Sequence, residues 1–148
     1  MLLEQEKLTE QKAKQLNPVA LAFVGDAVYS TYVRQRLALS GDGKVADLQR
    51  AAGKIISAKG QSAFLDKVYP LFTEEEADLF RRGKNAKKAT KSKSATSLEY
   101  NRSTGFEAVL GFLYLTGNER RICELLSVSD EEIFKGVAAE KPFRPGIH

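Results

Sequence analysis

The sequence predicts an all-α fold built around two central helices, and three observations carry that expectation. Two stretches, Pro18 to Val33 and Ser103 to Leu115, are apolar, small or uncharged almost throughout, each with one charged residue, Asp26 and Glu107 respectively. A helix that is apolar nearly all the way round belongs in a core. The segments around them open on helix start signals: Asn17-Pro18, Ser57, and the capping boxes Thr73-Glu74-Glu75-Glu76 and Ser129-Asp130-Glu131-Glu132. No strand-like alternation runs beyond a few residues, and there is neither an internal repeat nor a heptad series.

Length and composition narrow the class further. The 148 residues have room for one domain with a real core, and 43% hydrophobic with 28% charged residues is ordinary globular composition. No uncharged run approaches the roughly 18 residues of a membrane span. Glu4, Glu6 and Glu10 among the first lysines do not resemble a secretory signal, so a cytoplasmic protein with no membrane partner is expected. One cysteine, Cys123, excludes an internal disulfide framework and a multi-cysteine zinc site. One histidine, the terminal His148, argues against histidine-based catalysis.

Taken in order, residues 1–16 read as an N-terminal arm or short helix, with Leu2, Leu3, Leu8 and Leu16 too sparse to define a face. Asn17 caps and Pro18 opens a helix that runs to about Leu39 and stops at Ser40-Gly41-Asp42-Gly43. Val45, Leu48 and Ala52 give a short helix that Gly53 should end or loosen. Ser57 caps the next segment, whose Ala58, Gln61, Phe64, Leu65 and Val68 share a face before Tyr69-Pro70 breaks it. The Thr73 box opens a further helix, where three glutamates in a first turn are explained by the helix dipole without a metal. Residues 81–97 then read as a mobile basic loop: Arg81, Arg82, Lys84, Lys87, Lys88, Lys91 and Lys93 with no acid and no aromatic among them. A one-signed loop suits a polyanion, and the lack of aromatics favours phosphate contact with a duplex over stacking on unpaired bases. The Glu107 helix runs from about Ser97 to Leu115 and ends at Thr116-Gly117-Asn118. A helix from Glu119 to Leu126 and a last short one follow, and residues 139–148 form a disordered tail with Pro142 and Pro145.

The two acids are the chemical question. An ionised carboxylate beside a core needs a cation, a donor or a metal. If the two helices lie side by side, with Gly25, Gly105 and Gly111 permitting close approach, the acids converge on an oxygen-only site suited to Mg²⁺ or Mn²⁺. The competing explanation is structural, each acid being a cap or paired with an arginine such as Arg34 or Arg102. Composition leaves both readings open.

At these residues the chain resembles the ribonuclease III family. Phe23-Val24-Gly25-Asp26-Ala27-Val28 is similar to the family's signature helix, Phe106-Glu107-Ala108-Val109-Leu110-Gly111 to its second acidic helix, and the Ile56-Ser57 turn to a third shared element, so the likeness spans about residues 16–117. The resemblance implies an all-helical endonuclease-type domain over residues 17–138, acting as a homodimer whose subunits form a basic groove for double-stranded RNA. Asp26 and Glu107 carry over as catalytic Mg²⁺ ligands, Mn²⁺ being the alternative ion, and products should bear 5′-phosphate and 3′-hydroxyl ends. With no double-stranded RNA-binding domain after position 138, the likeness is to the mini-ribonuclease III branch, which implies maturation of the ends of the large-subunit (23S) ribosomal RNA precursor, with a ribosomal protein as a candidate presenter of the substrate. The chain departs from the family where Val19, Ala22 and Thr104 stand at positions usually acidic. Thr104 retains a hydroxyl able to hold a water, whereas Ala22 does not. The basic residues from Arg81 to Lys93, with Lys59, are the expected RNA grip. Three rivals stand beside this reading: a non-catalytic structured-RNA binder of the same fold, a nucleotide pyrophosphohydrolase using the Glu74 to Asp78 cluster, and a helix-turn-helix DNA binder.

Overall fold

A computed structural model describes residues 6–40, 43–87 and 96–129. Seven α-helices follow one another: α1 (Glu10–Lys14), α2 (Pro18–Leu39), α3 (Val45–Ile56), α4 (Ala58–Val68), α5 (Glu74–Asn85), α6 (Ser97–Leu115) and α7 (Glu119–Leu126). Single 3₁₀ turns extend α4 (Tyr69–Leu71) and α7 (Ser127–Ser129), and there is no strand among the described residues. The expected arm contains α1. The last short helix, the tail at 139–148 and residues 1–5 lie outside the described residues.

Local chemistry sets the boundaries. The Asn17 side chain accepts from the Val19 amide at 2.8 Å, and Pro18 occupies the first turn, where its missing N–H costs nothing. Thr73 and Glu76 close a reciprocal capping box at 3.0 and 3.1 Å, and Thr96 and Glu99 do the same at the start of α6. Gly117, at φ +80°, supplies the left-handed residue that ends α6.

α6 is the axis of the molecule. It packs most extensively on α2, then on α5 and α4. A cluster of three rings joins three of these helices: Tyr29 of α2 meets Phe106 of α6 edge-on at 5.2 Å between centroids, and Phe64 of α4 lies 6.1 Å and 5.7 Å from the two. The α2–α6 contact itself is backbone on backbone. A Cβ on Gly25 would overlap the Glu107 carbonyl oxygen, and one on Gly111 would overlap that of Leu21. Only glycine permits this approach.

Two expectations are corrected. α3 does not end at Gly53 but runs on to Ile56. Ala51, Ala52 and Ile55 are buried along one face, and that burial outweighs the roughly 1 kcal/mol helix cost of one glycine, whose own position faces open space. The basic segment is also not a loop from residue 81, because Arg81, Arg82 and Lys84 belong to α5, which continues to Asn85. Leu79, Phe80 and Gly83 are buried there, and Gly83 rests on Gly105 and Ala108 of α6, so packing extends the helix into polar sequence.

Three of the four acids of α5, Glu75, Glu76 and Asp78, are engaged in structure. Glu76, 5% exposed, receives the Arg121 guanidinium at 2.8 and 2.9 Å, and Arg121 also donates to the Leu71 carbonyl at 2.7 Å. Burial alone would raise the Glu76 carboxyl; Arg121 and the Thr73 amide outweigh it and hold it below the ordinary range. Glu75 pairs with Lys14 at 2.5 Å and Asp78 with Arg81. This removes the basis for a phosphohydrolase site at the Glu74 to Asp78 cluster.

Candidate active site

The close approach of α2 and α6 brings Asp26 and Glu107 together at the mouth of one cavity of about 670 Å³. Ala22, Phe23 and Asp26 come to it from α2, Ser57 from the α3–α4 turn, Lys59 and Gln61 from α4, and Ser103, Thr104 and Glu107 from α6. Three stretches distant in sequence thus share a site, and all its side-chain polar groups except the Lys59 amine and the Gln61 amide nitrogen are oxygens.

The two acids differ in setting. Asp26, expected to be withdrawn from water beside the core, is exposed, because α2 turns Leu21, Gly25 and Val28 inward and leaves Phe23, Asp26 and Ala27 outside. Glu107 is the recessed member. Burial pushes its carboxyl up to about 8; the Gln61 amide, donating at 3.0 Å, works against that, while the Asp26 charge and a hydrogen bond with Asp26 raise it further. The pair is therefore short of positive charge. Arg102, one of the two arginines suggested as a structural partner, turns to Ser62 and to Asp66 at 2.6 Å, and Arg34 donates to Ser30 on its own helix.

Thr104, 6% exposed, donates its hydroxyl to the Tyr100 carbonyl at 3.0 Å, as Ser103 does at 2.8 Å. Its oxygen keeps lone pairs for accepting from a water and has no proton left to give. Ala22 contributes only a methyl group. Among the described residues no three acids, histidines or cysteines group as metal ligands, so two carboxylates are what the site offers.

The basic residues are more dispersed. Lys59 is exposed at the cavity, in the first turn of α4. On α5, Arg81 pairs with Asp78, Arg82 donates to the Lys14 carbonyl at 3.1 Å and Lys84 lies over the Phe80 ring at 5.8 Å. Lys87 is exposed just beyond the helix, while Lys88, Lys91 and Lys93 lie outside the described residues. Gln61 is the site residue that sequence reasoning placed only on the packing face of α4. The available signal was a lone amide at the head of the apolar series Phe64, Leu65 and Val68.

Comparison with known proteins gives the family. The model of the ribonuclease III domain matches residues 19–118. Similar chains include the mini-ribonuclease 3 of Symbiobacterium thermophilum, 45% identical over 121 residues (82% of this chain, 93% of that one), and that of Brevibacillus brevis, 41% identical over 124 residues (84% and 92%). A crystallised protein of Fusobacterium nucleatum superimposes with a TM-score of 0.73 at 28% identity, covering 80% of this chain and 95% of that one. Domain match, relatives and fold converge: the chain belongs to the ribonuclease III family, on its mini-ribonuclease branch, and is an endoribonuclease.

Proposed function

We propose that the protein cuts double-stranded RNA with Mg²⁺ held by Asp26 and Glu107, leaving 5′-phosphate and 3′-hydroxyl ends, and that its physiological substrate is the 23S ribosomal RNA precursor. The observation that carries this reading is the convergence of two carboxylates in one cavity, one of them held up to about 8 by burial and by its neighbour. The donor set fits a hard divalent ion, since Mg²⁺ binds through one or two carboxylates and completes its shell with waters and substrate phosphate. Bound there, the ion would lower the pKa of a water and stabilise charge on the scissile phosphate. Mn²⁺ suits the same oxygens. To hold the ion Glu107 would give up its carboxyl proton, Thr104 would orient a water by accepting from it, and Lys59 would meet a phosphate at the rim. The ribosomal substrate rests on the likeness to the mini-ribonuclease branch.

The test is cleavage of a long RNA duplex, its single strands and a 23S precursor, with Mg²⁺ and with chelator. Metal-dependent cutting of the duplex with 5′-phosphate ends is expected. Intact RNA that still binds would instead make this a binding protein whose Ala22 and Thr104 mark lost chemistry.

The grip on RNA is assigned to Lys59, Lys84 and Lys87, with Arg81, Arg82, Lys88, Lys91 and Lys93 along the same segment. Replacing Lys59, Lys84 and Lys87 by glutamine should weaken duplex binding across all sequences and flatten the slope of log affinity against log salt by about 2–3. An unchanged slope would remove these lysines from the interface.

A second copy of the chain is the proposed occupant of the outer face of α2. Phe23 is 81% exposed, between exposed Ala20 and Ala27 at helical spacing and beside Asp26. An exposed phenylalanine in an apolar stripe suits a symmetric contact, which would bring two sites to one duplex. Phe23→Glu should sediment as a monomer where the parent sediments as a dimer; equal sedimentation would move the interface elsewhere.

A further inference from the structure

We propose that Gln61 is a positioning residue for Glu107, orienting its carboxylate for a divalent ion without neutralising it. The inference rests on the reading that Asp26 and Glu107 hold that ion. Gln61 is 2% exposed, and its Nε2 donates twice, to the Ile56 carbonyl at 2.8 Å and to Glu107 Oε2 at 3.0 Å. The Ile56 carbonyl can only accept, so it fixes which way the amide is turned: the nitrogen, and not the oxygen, faces Glu107. Both amide hydrogens are then in use. The cost falls on the other end, where Oε1 is buried and accepts no hydrogen bond from the described residues.

That cost shows what the residue is for. Phe64, Leu65 and Val68 on this face of α4 are all buried, and a leucine or methionine at 61 would fill similar space without burying an unpaired Oε1. Packing alone does not select an amide here. Charge explains why it is an amide in particular. An arginine or lysine in the same place would hold Glu107 equally well but would supply the counter-charge itself and compete with a cation, whereas a neutral donor fixes the carboxylate and leaves its charge available. The carboxyl of Glu107 thus lies between a neutral donor on α4 and Asp26 on α2. Through Ile56, the same amide ties this orientation to the end of α3.

The experiment measures Mn²⁺ binding by calorimetry on the full chain without RNA, for the parent, Gln61→Leu, Gln61→Met and Glu107→Gln, with cleavage kinetics at saturating Mg²⁺ alongside. Both Gln61 variants should fold, bind Mn²⁺ about 10-fold more weakly and lose kcat with KM for duplex RNA unchanged. Parent-like Mn²⁺ affinity in Gln61→Leu and Gln61→Met, with binding lost in Glu107→Gln, would overturn the role of Gln61 alone. Parent-like affinity in Glu107→Gln would overturn the metal site on which it rests. Failure of both Gln61 variants to fold would assign the residue to stability and also overturn the proposal.

Discussion

Glu107→Gln should abolish cleavage and at the same time stabilise the metal-free protein. Loss of one of two carboxylates removes several kcal/mol of stabilisation from the charged transition state, and at about 1.4 kcal/mol per decade this lowers kcat about 10³-fold or more. The stability effect follows from linkage. Glu107 has its folded value raised to about 8 from an ordinary 4.5, so between these limits the folded chain holds a proton that the unfolded chain has released. Its contribution is fully present below pH 4.5 and is lost as pH rises to 8. A neutral amide escapes that loss. At pH 7.5, three units above the ordinary value, the variant should gain up to about 4 kcal/mol, seen as a higher Tm, and below pH 4.5 the two proteins should melt together. The same proton opposes the ion, so the Mg²⁺ concentration giving half-maximal cleavage in the parent should fall between pH 6 and pH 8. Thermal melts across pH in chelator and Mg²⁺ titrations at each pH check both. A gain that persists at pH 4 would show that the Glu107 carboxyl is not what the amide relieves.

Gly25→Ala should unfold the domain or leave it folded without activity. Its methyl group would overlap the Glu107 carbonyl, and no side-chain rotation relieves a clash with main chain. Overpacking a side-chain core costs about 1–3 kcal/mol, and a clash between two helix backbones should exceed about 4 kcal/mol. Gly111→Ala, pressing on the Leu21 carbonyl from the opposite helix, should behave alike. Gly53→Ala is the contrast: a helical position with nothing near its Cβ should gain about 0.5–1 kcal/mol. Urea denaturation of the three variants separates close approach from helix propensity. If all three shifted alike, the α2–α6 contact would not be as tight as the main-chain geometry implies.

Much of this was legible from residue order. Pro18–Leu39 and Ser97–Leu115 fall at the caps and stops the sequence carries, and the two single acids in apolar helices do meet. What was not legible depends on partners distant in sequence. Gly53 and the end of α5 were misjudged because local propensity says helix break, whereas Ala51, Ile55, Phe80 and Gly83 have faces to fill. The exposure of Asp26 was hidden because α2 is apolar on nearly every side, so periodicity gives no inward direction. Gln61 was hidden for another reason: its meaning lies in Glu107, 46 positions away, and in the Ile56 carbonyl, which no side-chain pattern reports.

The glycine contacts between α2 and α6 also bear on how this chain can change over generations. Where two helices touch through their side chains, each substitution in the core alters their separation, and any site spanning them drifts with it. Here main chain rests on main chain at Gly25 and Gly111, so the gap between the acids is set first by backbone and only second by the volumes of Val28, Leu110 or Phe112. Substitutions in the aliphatic and aromatic interior should therefore cost stability before they cost chemistry.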